Sequence, residues 1–133
     1  MASEALDLVR SICTAWQRGD FRSADWAHPD IEFERADPSE QLRARGVAGM
    51  AESWRDWLSS WEDFRVDVEE YRELEDGRIF VLNQFHGRGK FSGLDVSHTG
   101  QKGASLFEVR DGAVTRLVVY ADRQLAFADL GLA

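Results

Sequence analysis

The spacing of apolar residues changes near residue 63, and that change restricts the possible folds more than any other feature of the chain. Before it, the long apolar patterns recur at helical steps of three and four, with one short alternating stretch at 30–35; after it they alternate, as they do in strands, until a short closing helix. Phe64, Val66 and Val68 alternate with Arg65, Asp67 and Glu69, and the pattern runs on towards Leu74. Asp76-Gly77 and Asp111-Gly112 are dipeptides suited to tight hairpins, whose central positions need positive φ. Between them, Ile79 to Leu82 is apolar on both faces, Gln84 to Lys90 turns polar, and a loop near Ser92-Gly93 leads into a strand ending at Val109. Val114 to Ala121 is the last strand. Consecutive strands joined this way pair antiparallel, because parallel neighbours need a long crossover. Gly87 and Gly89 fall inside a strand, where a bend or bulge lets a sheet curl.

The helical part supplies the cover such a sheet needs. Leu6, Val9, Cys13 and Trp16 form one stripe, with Ser3 placed to cap its start and Gly19 to stop it. Asp20 suits the start of a short second helix through Trp26, which must end by His28 because Pro29 follows. Asp30 to Arg35 alternates as a short strand, and Ala36 to Arg45 has no period and is expected to be a loop. Val47, Met50, Trp54, Trp57, Leu58 and Trp61 then make the clearest amphipathic face in the chain. Leu125, Ala126 and Leu130 suggest a short closing helix that stops at Gly131. The order is α-α-β-α-β-β-β-β-α. The expected class is α+β: a cone-shaped, curved antiparallel sheet packed with three to four helices, residues 1–133 forming one domain. A bent sheet closed by helices leaves a mouth that suits a small molecule.

A net charge of −8 argues against nucleic acid and anionic membranes, which rely on clustered Lys and Arg. No apolar run approaches the roughly 20 residues of a membrane span. The start of the chain lacks the pattern of a secretion signal, and Cys13 is alone, so a cytoplasmic protein without disulfides is expected. His28, His86 and His98 lie in separate segments without metal-ligand spacing, and no dinucleotide or phosphate fingerprint occurs, so neither metal nor organic cofactor is expected.

The chain resembles the nuclear transport factor 2-like superfamily, and within it the SnoaL-like, polyketide cyclase-like group. The resemblance rests on Arg18-Gly19-Asp20, on Pro29-Asp30-Ile31-Glu32-Phe33-Glu34, on Arg45-Gly46-Val47 and on Gly87-Arg88-Gly89 followed by Ser92-Gly93. It rests most on Phe107-Glu108-Val109-Arg110-Asp111-Gly112-Ala113-Val114 leading to Val119-Tyr120-Ala121-Asp122-Arg123. It implies the cystatin-like roll, a homodimer packed through the open sheet face, and a pocket for a small apolar or carboxylate-bearing molecule. It does not imply one function, since the superfamily holds isomerases, cyclases, hydratases and binding proteins.

Counting along the resemblance to the ketosteroid isomerases, the helix tyrosine falls on Ile12, the base on Arg35 beside Glu34, and the protonated acid on Ser105. Steroid isomerisation of that type is not expected. The acid of the SnoaL-type cyclases falls on Asp122, ten residues after Gly112, a position that also suits a helix cap. His86 is a second catalytic candidate, a base or hydrogen-bond donor unless it faces outward. Trp16, Arg35, Ser105, Phe107 and Tyr120 are the candidate pocket residues; an Arg there would favour a carboxylate or enolate. Three readings stay open: a binding domain, a cofactor-independent cyclase, isomerase or hydratase, and a dimerisation module whose cavity is filled by its own aromatic side chains.

Overall fold

A computed structural model describes residues 4–20, 25–36, 41–59, 61–74, 78–89 and 101–131. Helix α1 is Glu4–Gln17, strands β1 and β2 are Ala27–Ala36 and Gln41–Arg45, and helix α2 is Gly46–Ser59. Strands β3 (Trp61–Glu73), β4 (Arg78–Gly89), β5 (Gln101–Arg110) and β6 (Ala113–Tyr120) follow, and α3 (Arg123–Leu130) closes the chain. Among the described residues the strands form one curved sheet in the order β2-β1-β6-β5-β4-β3.

The alternating half of the sequence folds as its pattern requires. β3, β4, β5 and β6 pair antiparallel in succession. Asp111 and Gly112 take φ of 53° and 77° at the last turn, the left-handed pair that matches strand twist. Asp76-Gly77 lies outside the described residues, but Leu74 N–H donates to the Arg78 carbonyl across that hairpin at 2.8 Å. Gly87 has φ 153°, a backbone that side chains rarely adopt, on the far half of β4. Gly19 (φ 81°) follows α1 and Gly131 (φ 67°) caps α3 with a bond to Phe127 O.

Four expectations need correction. The sheet is mixed, because β1 lies parallel to β6; most of the chain separates these strands, so no short turn dictates their direction. Residues 41–45 form an edge strand rather than a loop, antiparallel to β1; five residues with Leu42 still exposed are too short to show a period. The third amphipathic stretch ends at Ser59, and Trp61 already belongs to β3. The first strand begins at Ala27, ahead of Pro29, and its register on β6 shifts between Ala27 and Glu32, as a residue without an N–H demands. The expected second helix falls largely on residues outside the described set; Asp25 and Trp26 are a turn.

Two apolar layers result. On the inner face α1 and α2 cover Ile31, Phe33, Val66, Ile79, Val81, Phe107 and Leu117 with Val9, Ile12, Trp16, Met50 and Trp54. On the outer face Phe80, Leu82, Leu106 and Val118 pack with Ala126 of α3, and the Phe80 and Phe127 rings lie 6.0 Å apart. The second apolar side of these strands packs against the chain's own last helix. Arg123 fastens that helix: its guanidinium donates to the Asn83 carbonyl at 3.0 Å and to both carboxylate oxygens of Glu69 at 3.1 and 3.3 Å.

Candidate functional site

Alternation along the strands decides which candidates can meet. Arg35, Val119 and Ser105 are cross-strand partners in one row, and Val119 belongs to the inner layer, so all three face α1 and α2. Glu34, one residue earlier, faces the other way. It sits 3.4 Å from Arg116 and 3.7 Å from Arg43, and Arg116 also bonds Glu108 at 3.1 Å. Glu34 is therefore held in an outer-face network. Burial works against the Arg116 charge, but Glu108 and Glu34 outweigh it and raise its pKa further.

Arg35 comes to rest over α2, its guanidinium carbon 5.3 Å from the centre of the Trp57 ring, within cation–π range. Trp57 meets Phe64 edge-on at 6.0 Å, and Phe64 stacks on Phe85 at 5.8 Å. These contacts form a continuous aromatic wall from β4 through β3 and α2 to the cation on β1. Phe85 lies against Gly103 on β5; a Cβ at Gly103 would be 2.2 Å from the Phe85 ring. Beside this wall the inner face carries two wholly buried polar side chains: the Ser105 hydroxyl donates to Asn83 Oδ1 at 3.1 Å.

Asn83 was not among the sequence candidates, although its signal is there. It shares strand parity with the core residues Ile79, Val81 and Phe85, and a β-disfavoured amide in that position needs a reason. Asn83 Nδ2 has no partner among the described residues, which costs about 1–3 kcal/mol if nothing else satisfies it.

The other candidates are placed differently. Tyr120 pairs with Ala104 on the outer face, and its hydroxyl donates to Asp129 Oδ2 of α3 at 2.7 Å. Burial and that carboxylate push its pKa well up, so it stays a neutral strut between sheet and helix, away from the inner wall. His86 follows Phe85 and so also faces outward, with Nε2 2.9 Å from Asp67 Oδ2. Asp122 is the N-cap of α3: its backbone is extended and its carboxylate accepts from the Gln124 N–H at 2.9 Å. Trp16 and Phe107 are on the inner side but are taken up in packing. Trp16 lies 5.3 Å from Trp54 and 5.7 Å from Phe107, and both are nearly inaccessible. Burial pushes the Cys13 thiol up to about 12, only partly offset by Tyr71, so it is no nucleophile near neutral pH. His28 Nδ1 accepts from the Asp30 N–H, and His98 lies outside the described residues. Among the described residues no three His, Cys, Asp or Glu side chains gather as a metal site would need, and no helix is long and apolar enough to cross a membrane.

A curved mixed sheet, helices on its inner face and a polar–aromatic cluster under them define the nuclear transport factor 2-like class of α+β proteins. Within it, the chain belongs to the SnoaL-like domain family, whose model matches residues 9–117. Similar solved structures include TerC co-crystallized with polyporic acid, at 20% identity over 96% of this chain and 98% of that one, with a TM-score of 0.73. A proposed polyketide cyclase from Xanthomonas campestris pv. campestris is 25% identical over 94% of this chain and 95% of that one, with a TM-score of 0.66. A protein of ketosteroid isomerase-like fold from Catenulispora acidiphila, in complex with trimethylamine, is 14% identical over 96% and 94%, with a TM-score of 0.68. No curated protein matches the chain.

Proposed function

We propose that this chain is a small-molecule-binding SnoaL-like domain, with its ligand held against the inner face between Arg35 and the wall of Trp57, Phe64 and Phe85. The observation that carries the reading is Arg35 itself: a cation on the inner face, laid over an indole ring. Such surroundings suit an apolar molecule bearing a carboxylate or enolate, whose charge a planar guanidinium can bind with two parallel hydrogen bonds. Similar structures solved with polyporic acid and with trimethylamine support a small-molecule ligand. Cyclase, isomerase or hydratase chemistry would need a proton carrier beside that ligand, and Asp122, His86 and Tyr120 are each engaged elsewhere. The placement of these three groups favours binding. Titration with 2-naphthoate, followed by tryptophan fluorescence, is expected to show saturable binding that Arg35→Gln weakens about 10–100-fold, the range for one charged hydrogen-bonding group. Equal affinity in the variant would remove Arg35 from the site.

The proposal includes a cytoplasmic homodimer. A lone, buried Cys13 fits a reducing compartment. Support for pairing comes from the outer-face region that carries Glu32, Glu34 and Glu108 among Arg43, Arg45 and Arg116 around a groove of about 440 Å³. A surface with both signs can complement its own two-fold copy. Light scattering at micromolar concentration should give twice the 15.1 kDa chain mass, and a constant single-chain mass up to millimolar concentration would refute pairing.

A further inference from the structure

We infer that Asn83 and Ser105 form a second anchor on the inner face, one that recognises an acceptor oxygen of the ligand, and that the ligand is a planar aromatic acid carrying a carbonyl away from its carboxylate. The inference rests on the binding reading above and deepens it by naming the ligand class.

Asn83 is held from behind and unsatisfied in front. Its carbonyl is taken on the outer side by Arg123 at 3.0 Å. Its side-chain oxygen is taken by the Ser105 hydroxyl at 3.1 Å. Its amide nitrogen is wholly buried and has no partner among the described residues. Turning the amide over would leave both an acceptor on Asn83 and a donor on Ser105 unmatched, whereas the observed orientation leaves only the NH₂ group. The free group is thus a donor, and what it recognises is an oxygen with lone pairs. Ser105 acts as a positioning residue that fixes which end of the amide is presented.

The separation from Arg35 sets the shape of the ligand. Arg35 on β1 and Asn83 on β4 lie three strands apart, about 14 Å between backbones at ordinary strand spacing, so the span to be bridged is set by how far the two side chains reach towards each other. Trp57, Phe64 and Phe85 run as a chain of ring contacts from the cation towards β4, the strand that carries the amide. A flat ring system with a carboxylate at one end and a carbonyl towards the other can stack on that wall and satisfy both anchors. An aliphatic acid or a bare hydrocarbon leaves at least one anchor unmatched.

Matched ligand pairs test this: 6-acetyl-2-naphthoate against 6-isopropenyl-2-naphthoate, and 4-acetylbenzoate against 4-isopropenylbenzoate. Members of a pair share shape and carboxylate and differ by a carbonyl oxygen. The wild-type chain is expected to bind the acetyl member about 3–10-fold more tightly in at least one pair, the effect of one neutral hydrogen bond. Asn83→Leu should bring the ratio to about one with the isopropenyl affinity kept, and Ser105→Ala should reduce it. Arg35→Gln should weaken both members alike. Tight binding without preference, unchanged in Asn83→Leu, would refute the anchor and leave the binding reading standing. Failure of all four acids to bind would refute the binding reading and the ligand class with it.

Thermal unfolding without ligand gives a separate readout. The NH₂ end of the amide has no partner among the described residues, but its oxygen accepts from the buried Ser105 hydroxyl, so the two are removed together: adding Asn83→Leu to Ser105→Ala should leave the melting temperature at or above that of Ser105→Ala alone. A fall of several degrees would show that the amide is satisfied inside the protein, by a buried water or by another segment, and would overturn the anchor whatever the ligands do.

Discussion

Replacing Trp54 with alanine is expected to lower the unfolding free energy by about 3–5 kcal/mol, roughly 12–20 °C in midpoint at about 4 °C per kcal/mol for a domain of this size. Trp54 is 6% exposed and joins three elements: it comes from α2, meets Trp16 of α1 at 5.3 Å and Phe33 of β1 at 5.7 Å. Truncation would open a void where three layers meet, and Trp16 and Phe33, locked by their own neighbours, cannot both move in to fill it. Trp57, on the same face, gives the contrast. It is half-buried and its contacts include Phe64 and Arg35, so its truncation should cost about half as much while weakening acid binding. Denaturant unfolding of Trp54→Ala, Trp54→Phe and Trp57→Ala checks the order. A larger loss for Trp57→Ala than for Trp54→Ala would mean that α2 is rotated from the position described.

How much of this was legible in the residues depends on the range of the interactions. The hairpin series β3 to β6 follows from alternation and from a Gly-containing turn such as Asp111-Gly112, both local signals. The parallel pairing of β1 with β6 is a contact between distant segments, and no local pattern encodes it. Strand β2 is a short edge whose one large apolar residue, Leu42, stays exposed, so burial left no trace in its composition. The faces were harder still. Arg35 and Ser105 came to the inner side as the family resemblance implies, yet Tyr120 and His86 did not. Leu117 to Tyr120 is apolar throughout, so its pattern cannot say which side α3 will cover. Once one core residue is placed, parity does the rest: Val119 inward puts Tyr120 outward, and Phe85 inward puts His86 outward and Asn83 inward. Asp122 was ambiguous because an acid before a helix serves both a cap and a pocket rim; its bond to the Gln124 N–H accounts for it as a cap.

Substituting Gly103 with alanine should be almost as damaging as losing Trp54, through crowding rather than a void. The added Cβ would stand 2.2 Å from Phe85 Cε2 and 2.6 Å from the Tyr120 backbone carbonyl, both far inside van der Waals contact. The Phe85 ring could swing away, but it is stacked on Phe64 and would pull the aromatic wall with it. The Tyr120 carbonyl belongs to the neighbouring strand, and moving it would part β5 from β6 where Ala104 and Tyr120 pair. Overpacking of this kind costs about 1–3 kcal/mol, and a backbone clash places Gly103→Ala at the upper end. Because Phe85 covers Gly103 and leads to Phe64, Trp57 and Arg35, the variant should also bind 2-naphthoate less tightly than its stability loss alone requires. Combining it with Phe85→Leu separates the two clashes: the ring contact is relieved and the carbonyl contact remains, so stability should recover only in part. Full recovery in the double variant would show that Phe85 alone forbids a side chain at position 103. An unchanged melting temperature in Gly103→Ala would show that β5 and β6 can separate freely, and the aromatic wall would then lack the rigid floor that ligand binding on this face requires.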